Sequence, residues 1–229
     1  MSKYKILSVG GSIIIPKGGF NVNFLKKFRS LIVNRVKAGD KFVLVIGGGA
    51  TCRAYQQAAK KTADLSDENL DWLGIYSTWF NAEFVRLFFG SLAHAEVIRN
   101  PTKKISSKKP IIVAGGWVPK CSTDRDAVLL AKNLNANEVV NLSNIDYVYN
   151  ADPKKVKNAK KMPELSWNEL KAIVGDKWIP GSNVPFDPMA IKEAQALNLI
   201  LKFVKGTNLK QVENALSGKN FKGTLVKAR

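Results

Sequence analysis

The run Val43-Leu44-Val45-Ile46-Gly47-Gly48-Gly49 constrains this chain more than any other stretch of it. Apolar residues without alternation read as a strand buried on both faces, and the three glycines break it abruptly. A turn of that composition lets backbone N–H groups face outward. The following residues, 51–62, read as a helix whose positive end lies at the same point. Strand, glycine turn and helix start together make an anion site, most often for phosphate. Arg53, one turn into that helix, can add a bidentate contact to a phosphate group. The pattern recurs: Gly10-Gly11-Ser12 follows an apolar run at residues 4–9, and Gly115-Gly116 follows another at 110–114. One such turn is ordinary, but three at the ends of three apolar strands point to a single polyphosphate-binding edge.

The remaining pattern supplies a frame for that edge. Residues 21–38 carry Phe24, Phe28, Leu31, Ile32 and Val36 at helical spacing, and Gly39 suits a C-terminal cap. Further helices are expected over 51–62, 68–89, 126–134, 166–174, 209–216 and from 187 or 188 to 197. Strands are expected at 4–9, 41–46, 95–98, 111–114, 138–142, 200–204 and 223–226. Residues 144–161 read as irregular, polar and basic, and 175–188 as a loop. Continuous apolar strands alternating with helices predict an α/β fold, a sandwich around a mainly parallel sheet with right-handed crossovers. No internal repeat or flexible linker divides the chain.

Composition narrows the function classes. An apolar content of 45% over 229 residues argues against disorder, and no apolar run approaches the roughly 18 residues of a membrane span. The opening MSKYKILSVGGS carries no signal-peptide pattern. Cys52 and Cys121 make no disulfide framework, which fits a reducing, cytoplasmic compartment. Two cysteines and a lone His94 do not assemble a zinc site. The net charge of +18 could mark nucleic-acid binding or a basic field that gathers anionic nucleotides. No RNA-recognition, zinc-finger or helix-turn-helix pattern accompanies it, so a solvated basic surface is expected rather than a nucleic-acid partner. No GxxxxGK[ST] sequence is present, which argues against a P-loop kinase.

Five segments stand in a recognisable order: SVGGS (8–12), VIGGGATCRAY (45–55), DWLGIYSTWFNA (71–82), STDRDAVLLA (122–131) and NLSNIDYVYNADPKK (141–155). In order and spacing they resemble the amino acid kinase superfamily, and within it the uridylate (UMP) kinases of archaeal type, over nearly the whole chain. The resemblance implies a single domain over residues 1–229 with a three-layer αβα sandwich. Residues 1–140 would mainly hold the acceptor and 141–229 mainly ATP. It also implies ATP- and Mg²⁺-dependent conversion of UMP to UDP, in a hexamer built from dimers. The chemistry suits the residues present. A nucleotide phosphate is already an ionised nucleophile, so phosphoryl transfer needs positioning and charge neutralisation rather than a histidine base.

By the same resemblance, Gly48, Gly49, Arg53, Asp71, Thr78 and Thr123 would hold UMP, with Arg53 on its phosphate and Asp71 on its ribose hydroxyls. Asn81 is a further polar position of the Asp71–Thr78 helix. Gly10, Gly11, Ser12, Asn144, Asp146, Tyr149, Asp152 and Lys155 would hold ATP. Asp124 would orient catalytic lysines or the metal, and Lys155, favoured over Lys154, would act on the donor phosphates. No protein ligand for the metal is assigned. Ser8 stands where many members of the superfamily carry a lysine, a gap that archaeal uridylate kinases share; Lys17 and Lys120 are the nearby cations. Trp117, Tyr147, Trp79 and Phe80 also depart from the usual pattern. They leave open another acceptor, such as isopentenyl phosphate, carbamate or an acyl amino acid. A non-catalytic nucleotide or oxyanion binder is the other reading.

Overall fold

The first apolar run becomes strand β1 (Tyr4–Val9), in a computed structural model that describes residues 4–153, 155–176 and 184–228. The other strands are β2 (Lys41–Ile46), β3 (Ile111–Ala114), β4 (Glu138–Ser143), β5 (Val148–Tyr149), β6 (Lys161–Met162), β7 (Glu164–Ser166), β8 (Ile200–Lys205) and β9 (Gly223–Lys227). Between them lie α1 (Gly11–Ile14), α2 (Val22–Lys37), α3 (Gly49–Thr62), α4 (Asp67–Leu87), α5 (Thr123–Asn133), α6 (Trp167–Val174), α7 (Pro188–Ala196) and α8 (Leu209–Leu216). The main sheet has the order β3-β2-β1-β4-β8-β9-β7, and β5 pairs with β6 in a separate ribbon. Its pairings are parallel except that of β8 with β9.

Side-chain alternation along the central strands divides the core in two. Ile6, Val43, Ile112 and Val139 face one layer with Val128 and Leu130 of α5, Leu170 of α6 and Ile191 of α7. Leu7, Leu44, Val113 and Val140 face the other, with Phe28 and Ile32 of α2, Val85 of α4 and Val212 of α8. A strand buried on both faces has no polar side to show, which is why these segments are apolar throughout. The expected three-layer sandwich is the one observed.

The strand order also places a site. From β1 the chain builds outward to β2 and β3, then returns to lay β4 on the other side of β1. In open α/β sheets that reversal leaves a crevice beyond the carboxyl ends of the central strands. Gly10 spans it, its N–H donating to Leu142 O at 2.9 Å. Helix starts are capped locally: Asn21 accepts from Phe24 N, Ser66 from Asn69 N and Ser122 from Arg125 N. Ser166 and Glu169 form a reciprocal capping box at α6. Each cap is worth about 1 kcal/mol.

Several expectations are corrected. Residues 95–98 are not a strand; Ala93 and Ile98 make isolated bridges to Ile111 and Ala114. The segment meets the β3 edge at both ends and bends away between, shielding the edge without pairing along it. Helix α1 follows Gly10, where only a turn was expected, and β5 and β6 lie in the stretch expected to be irregular. β7 was not anticipated either. Helices α3 and α5 begin earlier than expected, at Gly49 and Thr123, because the glycine turn and the Ser122 cap are themselves their starts. Of the loop expected at 175–188, residues 177–183 lie outside the described residues. Among the described residues, no helix is long and apolar enough to cross a membrane.

Candidate active site

The first two glycine turns lie against each other. A Cβ on Gly11 would come within 2.1 Å of Gly49 N, and one on Gly47 within 2.7 Å of Gly11 N. Only glycine allows backbones to approach so closely. Gly47 N donates to Val9 O at 3.1 Å and Ala50 N to Ile15 O at 3.0 Å, tying the turns together. Asn81, fully buried on α4, donates through Nδ2 to Gly47 O at 3.1 Å and Gly48 O at 2.9 Å. The carbonyl side of the Gly47–Gly49 turn is thereby anchored to α4, and α3 starts from it. The first-turn amides of a helix have no partner within that helix and carry its positive dipole end.

A cavity of about 160 Å³ opens beside that start and brings together Gly48, Asp71, Thr78 and Thr123 from α3, α4 and α5. Asp71 Oδ2 accepts from Lys120 N at 3.0 Å. Thr78 Oγ1 donates to Ile75 O at 2.7 Å and accepts from Gly116 N at 2.7 Å, so one lone pair remains for a ligand. Gly49 opens α3 with φ of 61°, and Arg53 is exposed on the same helix. Cys52, Gln56 and Cys121 also line the cavity. Burial raises the Cys52 thiol pKa, with smaller influences from Ser77, Arg53 and Asp71. Arg53 and Asp71 are thus both in electrostatic reach of one wall.

The third glycine turn is not a phosphate cradle. Gly115 N donates to Ile98 O at 3.1 Å and Gly116 N to Thr78 Oγ1, while Gly116 O accepts from Trp79 Nε1 at 2.6 Å. Trp79 itself carries Arg99 4.5 Å above its ring. The turn is a wall clamped to α4, which leaves the first two turns as the candidate anion-binding edge.

Asp124 lies behind these turns. Its Oδ1 accepts from Ser8 Oγ and from Asn141 Nδ2, both at 2.9 Å. The register pairs Ser8 with Asn141 on β1 and β4, which aims both side chains at the same point of α5. Burial pushes the Asp124 pKa up to about 7, with neighbouring Asp187 adding to it and the Ser8 and Asn141 bonds opposing. Asp124 is not the helix cap; Ser122 is. Asp187 caps α7, accepting from Met189 N and Ala190 N, and its other oxygen accepts from Ser122 Oγ. The starts of α5 and α7 are joined there. Two residues after Asp124, Asp126 is fully buried and Cys121 Sγ donates to it at 3.3 Å.

At the ends of β1 and β4, Asn144 Nδ2 donates to Ser12 Oγ at 2.7 Å, so Gly10, Gly11, Ser12 and Asn144 form one group there. Tyr149 OH donates to Asp146 Oδ1 at 3.3 Å, and Lys161 pairs with Asp146 at 3.8 Å. Asp152 and Lys155 lie in the loop between β5 and β6, where Lys155 N donates to Asp152 O at 3.0 Å. Lys155 is exposed, and no hydrogen bond or ion pair joins it to the glycine turns among the described residues. Lys154 lies outside the described residues. Lys17 is exposed, and Lys120 is exposed with a left-handed backbone, φ 60°. No group of three or more His, Cys, Asp or Glu side chains is placed to hold a metal ion among the described residues.

Sequence reading missed Gln56, Asn141, Asp126 and Asp187. Asn141 stood inside a quoted motif and Asp187 at an expected helix start, but nothing local distinguished their roles.

The sequence profile of the Amino acid kinase family matches residues 3–201. A "Uridylate kinase" of Methanocorpusculum labreanum is 33% identical over 96% of this chain and 94% of its own. One from Sulfolobus acidocaldarius is 30% identical over 96% of this chain and 97% of its own. The crystal structure of uridylate kinase from Archaeoglobus fulgidus superposes with a TM-score of 0.83 at 28% identity, covering 97% of this chain and 99% of that one.

Proposed function

Because the chain belongs to the amino acid kinase family, we infer that it transfers the γ-phosphoryl group of ATP to UMP, giving UDP and ADP. The observation that carries this reading is the contact between the Gly10–Gly11 and Gly47–Gly49 turns. Two phosphate cradles in backbone contact can hold a donor and an acceptor phosphate close enough for in-line transfer. The uridylate kinases described above support UMP as the acceptor.

In this reading the acceptor phosphate sits on the start of α3 beside Arg53, and Asp71 takes its ribose. Gly10, Gly11, Ser12 and Asn144 face the donor phosphates, with Asp146, Tyr149 and Asp152 beyond them. Lys155 reaches the transferring group from its loop. Asp124, held by Ser8 and Asn141, keeps the chain's own polar network rigid beneath the two turns. Ser8 is therefore a partner of Asp124. Magnesium would neutralise charge on the phosphates. The ion would arrive on the nucleotide and keep most of its waters.

The proposal extends to one domain over 1–229, divided near residue 140 into acceptor and donor halves, and to a cytoplasmic enzyme. It also includes a hexamer, supported by the exposed Tyr76, Phe80 and Leu87 along α4. The test is ADP release with ATP and Mg²⁺ across UMP, CMP, AMP, GMP and isopentenyl phosphate. UMP should give the highest kcat/KM; a clear preference for any other acceptor overturns the assignment.

A further inference from the structure

We propose that Gln56 reads the ribose of the acceptor nucleotide together with Asp71, and so sets a preference for ribonucleotides over their deoxy counterparts. The inference rests on the acceptor being a nucleoside monophosphate.

Position comes first. Gln56 lies three residues after Arg53 on α3, hence on the same face and about 4.5 Å further along the axis. A nucleotide whose phosphate sits at the start of α3 beside Arg53 runs its sugar up the helix toward that point. Gln56 and Asp71 line the same cavity of about 160 Å³, and both are half-buried.

Orientation is set by chemistry. Gln56 Nε2 donates to Leu70 O at 2.8 Å, and a carbonyl oxygen can only accept, so the nitrogen must face it. The amide plane is fixed beside the residue that precedes Asp71. Leu70 lies within α4, whose carbonyls already accept from the amides four residues on. The bond therefore satisfies no orphaned group; its effect is to hold the carboxamide in place. A second N–H and Oε1 of Gln56 have no partner assigned to them by that bond.

The two side chains complement each other. Asp71 Oδ2 is engaged by Lys120 N, and an ionised carboxylate can accept but never donate. Each hydroxyl of a ribose diol donates one hydrogen bond and accepts others. Asp71 accepts a hydrogen bond from the diol, and Gln56 supplies the donor that a carboxylate lacks. A hydroxyl missing from the ligand would leave one of these groups desolvated without a partner, the basis of strong discrimination.

A helix-to-helix strut is the alternative role for Gln56, and substrate comparison separates the two. KM and kcat are measured for UMP, 2′-deoxy-UMP and 3′-deoxy-UMP with wild type, Gln56→Leu and the length-preserving Gln56→Met, with thermal midpoints recorded. The expected result is a wild type that disfavours at least one deoxy analogue. Both variants should raise the UMP KM about five- to tenfold, with kcat and the ATP KM nearly unchanged. The KM for that deoxy analogue should hardly move, so the discrimination collapses. Equal KM increases for UMP and both analogues, or a wild type indifferent to both, overturn the proposal while leaving UMP phosphorylation intact. A wild type inactive on every nucleoside monophosphate overturns the proposed function and this inference with it.

Discussion

Replacing Asp126 by asparagine should change the sign of its effect on stability between acidic and mildly alkaline pH. The residue is fully buried, accepts from the Cys121 thiol at 3.3 Å through Oδ1, and its Oδ2 has no hydrogen-bond partner among the described residues. Burial, first among the causes, pushes its pKa from 3.8 to about 7. The folded state therefore binds the proton more tightly than the unfolded chain. Its contribution is complete below about pH 4 and is lost as pH climbs to about 7. At 1.36 kcal/mol per pKa unit, the loss is on the order of 4 kcal/mol across that window. Asparagine keeps an oxygen for the Cys121 thiol but puts an unpartnered NH₂ in place of Oδ2, at about 1–3 kcal/mol. The variant should thus be less stable than wild type near pH 4.5 and more stable, by about 2 kcal/mol, near pH 8. Asp124, shifted in the same direction, leaves a residual slope in both proteins. Urea unfolding over that range, read as midpoint and m-value, measures the difference. A stability difference that does not vary with pH would refute the reasoning, because it would mean the carboxyl ionises as freely folded as unfolded.

Arg53→Ala should weaken UMP binding by about 2 kcal/mol, the loss of a charge-assisted phosphate contact. Titration calorimetry without ATP checks it, and an unchanged affinity removes Arg53 from the phosphate. Lys155→Met should lower kcat and kcat/KM together while sparing UMP affinity, since a lysine on the moving group acts in the transition state. Steady-state kinetics with an unaltered kcat would take Lys155 out of the reaction. Lys120→Gly should raise the unfolding free energy by about 1 kcal/mol, because φ of 60° strains any residue with a Cβ. The N–H bond to Asp71 survives that change, so a lower melting temperature would show that the lysine side chain is itself stabilising.

The parts of the site readable in advance were those written in a few consecutive residues. Val43–Ile46 followed by three glycines announces a buried strand, a turn and a helix start without reference to the rest of the chain. Gly48, Asp71, Thr78 and Thr123 do meet at one cavity, and Gly10, Gly11, Ser12 and Asn144 at one crevice. Errors fell on short or shared elements. Residues 95–98 carry an apolar pair but make a single bridge, at Ile98, and β5 and β6 span two residues each. Segments that short bury too little surface to leave a period in the sequence.

Sequence alone determined the layers of the sandwich, the glycine turns and the Gly39 end of α2, because each follows from local sterics and the burial of continuous apolar runs. Tertiary structure decided which glycine turns are clamped by side chains. Gly116 looks like Gly11 in the sequence, yet Thr78 and Trp79 from a helix nearly 40 residues earlier occupy its N–H and C=O. It likewise decided that Ser8 and Asn141, 133 positions apart, converge on Asp124, through a register between β1 and β4 that neither strand encodes by itself. Hydrogen-bond partners at such separations depend on how strands and helices dock, and docking is a property of the whole core rather than of any segment in it.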